Sequence, residues 1–262
     1  MGAYDYFEVT DEILGEQQLA RQWKQRARQA MPQERLPFTV KTVRSDEELG
    51  KAVQIRHAAY ARHIPEFAEK LAAPEPYDRE EGSVVLLAES KLDGSPIGTL
   101  RLQSNQYRKL SIEQSVELPE SLQDCSLVEG TRLGIAEGRM GRVVKAALIK
   151  AFYLYCLEWD IDWIVITARK PLDRQYEALL YQDVFPGGEF LPMRHIGNIP
   201  HRVMAFEVKS GEARWAEAKH PLFDFMCRTH HPDIDVSCNG SFPMAQNPMR
   251  QPEPHAATRI LQ

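Results

Sequence analysis

The chain has 262 residues, with Lys+Arg 32 against Asp+Glu 37 and a formal net charge of −5. A chain of this length can bury a sizeable core without metal or disulfide staples, and 43% hydrophobic with 26% charged residues excludes a disordered or collagen-like polymer. The acidic balance disfavours nucleic acid, since duplex binders carry a basic excess. None of the cysteines Cys125, Cys156, Cys227 and Cys238 falls in a CxxC pair, which reads as incidental thiols in a reducing compartment. Residues 1–10 carry acids and no apolar leader, and the apolar stretch 143–159 is broken by Lys145 and Lys150. A cytoplasmic chain without a membrane span is therefore expected.

Residues 11–33 read as a polar helix with a thin apolar stripe of Leu14, Leu19 and Trp23. The roles open to it are a lid, a partner-docking arm or a peripheral contact with a membrane. Residues 36–43 alternate and are β-branched, which predicts a strand. Ser45 before Asp46, Glu47 and Glu48 is an N-cap followed by acids, so a helix should run to about His63. After a Pro-rich loop, residues 83–89 and 97–103 are predicted as strands joined by a hairpin turn at 92–95. Residues 127–135 form a fourth strand, whose Gly130 and Gly134 suggest a bulge or a close approach by a ligand. The longest helix is placed at 138–159 and a fully buried strand at 162–168. A helix over 172–182 follows, then a strand at 201–208 with a partner at 189–195. A short helix at 213–220 precedes a tail that reads as loosely held from Thr229. The domain reading is an N-terminal helical extension (1–35), a main domain (36–210) and a C-terminal extension (211–262), partly helical and then loose.

This order resembles the GNAT-like (acyl-CoA N-acyltransferase) α/β fold, a central mixed sheet splayed into a V and flanked by helices. The closer resemblance, over about residues 38–208, is to the acyl-homoserine-lactone synthases and the long-chain N-acyl amino acid synthases of the FeeM type. It is carried by Arg56 with an aromatic, Tyr60, four residues on; by Glu75-Pro76-Tyr77-Asp78; by Gly98-Thr99-Leu100-Arg101-Leu102; and by Glu129-Gly130-Thr131-Arg132. Thr131 and Glu75 depart from the Ser and Asp of the lactone synthases, and both ends are extended, which favours the amino acid synthase branch. The GNAT diphosphate loop is degenerate here, Glu137-Gly138-Arg139-Met140-Gly141-Arg142. Amides at a helix N-terminus still suit one phosphodiester, so an acyl-carrier-protein thioester is expected as donor substrate, with no permanently bound cofactor. The alternatives are an acyl-homoserine-lactone synthase using S-adenosylmethionine, a GNAT enzyme using acyl-CoA, and a lipid-binding domain without turnover.

Acyl transfer to an amine requires that the amine lose a proton, the carbonyl be polarised and the thiolate leave. The resemblance makes Glu129 the candidate base, directly or through a water, with pairing to Arg132 or Arg101 as its structural alternative. Arg101 and Arg132, on adjacent strands, are candidates to clamp the acceptor's carboxylate; their alternative is pairing with Glu75, Asp78 or Glu129. Arg56 and Tyr60 share a helix face and would wall the site. Glu75 and Asp78 would anchor the loop over the cleft, with plain solvation the stronger reading for Glu75. Tyr181 matches the tyrosine that protonates the leaving thiol in GNAT enzymes, or else packs at a helix end. Arg139, Arg142 and Lys145 recur every third residue and could meet an acidic carrier protein, or simply face solvent. Val143, Val144, Ala147, Leu148, Ala151, Phe152 and Leu154 are mostly core, and part of that face, with Ile164 and Ile166, could wall an acyl tunnel. Cys227, His230, His231 and Cys238 are too irregularly spaced for a metal, and none is expected.

Overall fold

In the computed structural model, which describes residues 30–237, the chain runs in the predicted order. It passes through β1 (Phe38–Thr42), α1 (Asp46–Ala61), β2 (Ser83–Ser90), β3 (Pro96–Ser104), β4 (Leu127–Ile135), α2 (Gly141–Glu158) and β5 (Trp163–Ala168). It continues through α3 (Asp173–Ala178), β6 (Gln182–Asp183), β7 (Leu191–Met193), β8 (Ile199–Glu207), α4 (Gly211–Glu217) and β9 (Ile234–Asp235). The sheet order is β6-β8-β5-β4-β3-β2-β1-β9, with β7 also on β8. Neighbouring pairs are antiparallel except β4–β5 and β1–β9. Strand alternation divides the interior: Leu86 and Ala88 face the α2 side, while Val85 and Leu87 face α1.

The parallel pair positions the site. Leu127–Gly130 pairs with Trp163–Ile166, and pairing stops there. Beyond it β4 stays with β3, while Thr167 and Ala168 stay with β8, so the two strands part. At the parting β4 carries one extra residue opposite Leu100, and Arg132 takes φ +57. This is a bulge, which strengthens local twist and re-aims side chains. It sits between the two glycines singled out in the sequence, but their neighbours are protein. A Cβ on Gly130 would lie 2.6 Å from Phe152, and one on Gly134 would lie 3.1 Å from the Arg56 Cα. The glycines therefore let α2 and α1 pack close.

α1 begins at the expected cap, the Glu48 N–H donating to Ser45 Oγ at 3.2 Å. Two other helices are shorter than expected for a backbone reason. Gly138 at φ +139 delays α2 to Gly141, and Leu180 at φ +68 ends α3's run before 182.

The chain from 211 to 237 is built into the same domain, not appended to it. Trp215 is buried, stacks on Phe206 at 4.9 Å and donates to the Leu179 carbonyl at 3.2 Å. The tail expected to be loose from Thr229 is held as far as Ser237. Lys150 Nζ donates to the carbonyls of Phe225 (2.6 Å) and Thr229 (2.5 Å) and meets His231 Nδ1 at 2.8 Å. Asp233 accepts from Leu36 N–H (2.8 Å), Arg35 and Lys91, and β9 pairs with β1. The predicted helix over 11–33 lies almost wholly outside the described residues, as does Cys238. Among the described residues no helix is long and apolar enough to cross a membrane.

Candidate active site

A cavity of about 330 Å³ opens where β4 and β5 part. Its walls are the bulged end of β4 (Gly130 to Leu133), the end of β5 (Thr167, Ala168), Tyr60 of α1, the first turns of α2 and the turn bearing His195. Arg62, Arg132, Arg142, Lys145 and Arg169 line it, and among the described residues no carboxylate does. The cavity is thus a cationic funnel, suited to an anionic ligand.

Beneath it lies a buried charge lattice drawn from four separate segments. Arg56, wholly buried, forks onto Asp78 with two bonds of 2.8 Å and reaches Glu75 at 3.3 Å. Arg101 donates to Glu75 (3.1 Å), Asp78 (3.3 Å) and Thr131 Oγ1 (3.1 Å). Arg132 forks onto Glu75 at 2.7 and 2.8 Å and donates to the His195 carbonyl at 3.0 Å. A left-handed arginine costs on the order of 1–3 kcal/mol, and these three bonds hold it there. Burial opposes ionisation of Glu75 and Asp78, but the guanidinium groups overcome it and hold both carboxyls below their usual range. Within this lattice three guanidinium groups face two carboxylates, so one positive charge is in excess.

This lattice corrects two expectations. Glu75 is not a solvated loop residue: its side chain is 16% exposed and accepts from all three arginines. Arg101 and Arg132 are not a free clamp, because their forks are spent on Glu75 and Asp78, and Arg101 does not line the cavity. Arg56 is likewise structural, and only Tyr60 of that helix pair reaches the cavity.

Glu129 lies behind the cavity wall, fully buried. Its Oε2 accepts from the N–H groups of Ser111 (2.7 Å) and Ile112 (3.3 Å), while Oε1 has no hydrogen-bond partner among the described residues. Burial pushes this carboxyl up to about 7, against the pull of those two amides and of Arg101 and Arg132. A carboxyl poised near neutrality suits general-base work.

Tyr181 sits in the aromatic core, 5.2 Å from Phe206 and 5.4 Å from Tyr176, and does not line the cavity. It is therefore not placed to protonate a thiolate there; Tyr176, within α3, lines the wall together with Tyr60. Phe152, Ile164 and Ile166 are buried in the core and do not line this cavity. Of the basic run, Arg139 is exposed, whereas Arg142 and Lys145 line the cavity. Lys145 bonds Gln175 and lies over the Tyr176 ring, and burial pushes its ammonium down to about 8. Met140 (39% exposed), Val143 (45%) and Leu172 add an apolar rim. Cys227, His230 and His231 form no metal-binding cluster among the described residues. His195 was not singled out by the sequence; nothing in Arg194-His195-Ile196-Gly197 distinguishes it from a turn between strands.

The family model for N-acyl amino acid synthase FeeM matches residues 51–193. Among solved structures, FeeM, an N-acyl amino acid synthase from uncultured soil microbes, aligns with a TM-score of 0.53 at 16% identity, over 72% of this chain and 97% of that one. BjaI, a CoA-dependent acyl-homoserine lactone synthase solved with SAM and isopentyl-CoA, aligns at 0.50 and 13%, over 74% and 93%. No curated protein sequence matches the chain. The architecture is the GNAT-like fold.

Proposed function

We propose that this chain, which belongs to the N-acyl amino acid synthase FeeM family and is an acyltransferase, moves a long-chain acyl group from acyl carrier protein to the α-amine of an amino acid. The observation that carries the acceptor class is the cavity's charge: five cationic side chains line it and, among the described residues, no carboxylate. An amino acid brings a carboxylate to such a site. A polyamine, which carries no carboxylate, has no group to meet those cations.

The donor reading rests on α2. Its first turn contains no acidic residue and its N-terminus no side-chain cap; the Gly141 N–H donates to the Gly138 carbonyl at 3.2 Å, which leaves those of Arg142 and Val143 to face a phosphate. Gly141 and Arg142 bring that end to the cavity. Exposed Arg139 and Arg142 with the apolar rim of Met140, Val143 and Leu172 make a surface for an acidic carrier with an apolar patch. The thioester's chain then enters the parting between β4 and β5, and Glu129, behind the wall, serves as the base through a water.

The test offers purified protein an acyl carrier protein thioester or the matching acyl-CoA with a panel of amino acids, and follows products by mass spectrometry. The proposal expects an N-acyl amino acid with the carrier thioester preferred, and Arg139→Ala/Arg142→Ala raising the carrier KM and flattening its salt dependence. Product only from acyl-CoA, or an acyl lactone requiring S-adenosylmethionine, would refute it.

A further inference from the structure

We propose that Arg169 is the residue that receives the acceptor's carboxylate, on the face of the sheet opposite the donor's phosphate. The inference deepens the acyl-transfer reading above and rests on it. Five cations line the cavity, and three of them are already engaged. Arg132 is forked onto Glu75. Arg62 donates to the Ile135 carbonyl at 2.6 Å and pairs with Glu137 at 3.4 Å, and Lys145 bonds Gln175. Arg142 is exposed and Arg169 half-buried, and neither has a carboxylate partner among the described residues. The Arg169 guanidinium makes one long bond, 3.4 Å to the carbonyl of the adjacent Lys170. A guanidinium withdrawn from water and left unpaired favours an anion that restores its hydrogen bonds.

The sheet separates these two arginines. Ile164, Ile166 and Ala168 of β5 pack in the core that holds Leu148 and Phe152 of α2. Val165 packs on the other side, with Val203 and Ala205 of β8. Alternation carries Thr167 and Arg169 to the Val165 side, and His201 to the side of Val203. His201 registers this: burial holds its imidazole below the usual range, and the charge of Arg169 adds to that. Glu129 faces the same side, since it pairs in register with Val165 and accepts from the N–H of Ile112, whose side chain joins the Val165 cluster. The Arg169 carbonyl accepts from the Asp173 N–H at 3.1 Å, which ties its backbone to the start of α3.

Arg142, at the start of α2, is thus left to the donor's phosphate, while Arg169 stands on the face of the candidate base. The thioester reaches the parting between them. A carboxylate forked on Arg169 fixes the acceptor's α-amine, which is attached one carbon away, and so orients it at the parting. An amine without a carboxylate would leave the guanidinium unpaired, which makes Arg169 a determinant of acceptor specificity.

Two measurements test this. In kinetics with the carrier thioester, Arg169→Gln should raise the KM of the preferred amino acid roughly 10- to 100-fold, with the carrier KM unchanged. Wild type should favour that amino acid over its carboxamide, and Arg169→Gln should lose the preference, which a merely structural role would not move. Arg169→Lys, which keeps the charge without the fork, should fall between. Arg142→Gln should raise the carrier KM and leave the acceptor KM alone. In equilibrium titration, which needs no turnover, wild type should bind N-dodecanoylglycine at least about 10-fold more tightly than its carboxamide, and the difference should vanish in Arg169→Gln. If amino acids are acylated with the acceptor KM and the amide discrimination of Arg169→Gln unchanged, the assignment is wrong and the acyl-transfer reading stands. If wild type transfers no acyl group from any thioester, that reading fails, and the titration decides whether Arg169 binds a carboxylate. N-dodecanoylglycine bound no better than its carboxamide, or bound equally well by Arg169→Gln, would overturn the assignment.

Discussion

Replacing Glu129 by glutamine should make the protein more stable and nearly inactive, with the gain confined to higher pH. The carboxyl rises from its ordinary 4.5 to about 7 through burial. Between those values the folded chain keeps a proton that the unfolded chain has released, so stability falls as pH rises through the window. At about 1.4 kcal/mol per pH unit the carboxylate costs the folded state about 3 kcal/mol above pH 7. A glutamine Oε1 can keep the amides of Ser111 and Ile112 satisfied and has no proton to exchange. Urea unfolding at pH 5 and pH 8 gives the assay. The difference between Glu129→Gln and wild type should move by about 3 kcal/mol in the variant's favour at pH 8, while acyl transfer drops about 10²- to 10⁴-fold. An equal difference at both pH values would refute the buried, poised carboxyl.

Glu75→Gln should act in the opposite sense. It leaves three buried guanidinium groups facing Asp78 alone, which should cost about 3–5 kcal/mol in chemical unfolding. Because Glu75 and Asp78 are held below their ordinary 4.5 and 3.8, their stabilisation is complete above those values. It is lost as pH falls through the depressed values, so wild type should unfold in acid and Glu75→Gln at a higher pH, as far-UV circular dichroism would show. Gly134→Ala drives a methyl to within 3.1 Å of the Arg56 backbone and should cost roughly 1–3 kcal/mol while displacing Arg56; a lowered Tm with weakened acyl transfer would register both. Lys150→Met strips the donor from the Phe225 and Thr229 carbonyls and should speed hydrogen exchange over 224–235 while leaving the acyl-transfer rate intact.

The strands were legible because each carries its own signal. Alternation in Phe38–Thr42, the β-branched run Trp163–Ala168 and the hairpin turn are local; the splayed V was implied by the resemblance and not by any of them. The bulge was legible in part, since two glycines flank it, although the residue at positive φ is Arg132. The charge lattice was named residue by residue, and pairing of Arg101 and Arg132 with Glu75 or Asp78 was the structural alternative to a clamp; what the residues did not decide was which of the two holds, nor that Arg56 shares in it. Glu75 looks like any loop acid until three arginines from α1, β3 and β4 converge on it, and no spacing in the sequence records that convergence. Tyr181 and Tyr176 differ in sequence only by position near a helix end. The left-handed Leu180 between them and the following strand turns Tyr181 inward. His195 had no signal at all, because the cavity wall it joins is built from segments distant in sequence.

The most direct test of the central claim is mass spectrometry of lipid extracts from cells producing wild type or Glu129→Gln. An N-acyl amino acid found with wild type and absent with the variant is the predicted result, and the same spectrum gives its chain length and acceptor. An acyl lactone in its place, or the same N-acyl amino acid from both strains, would contradict the account.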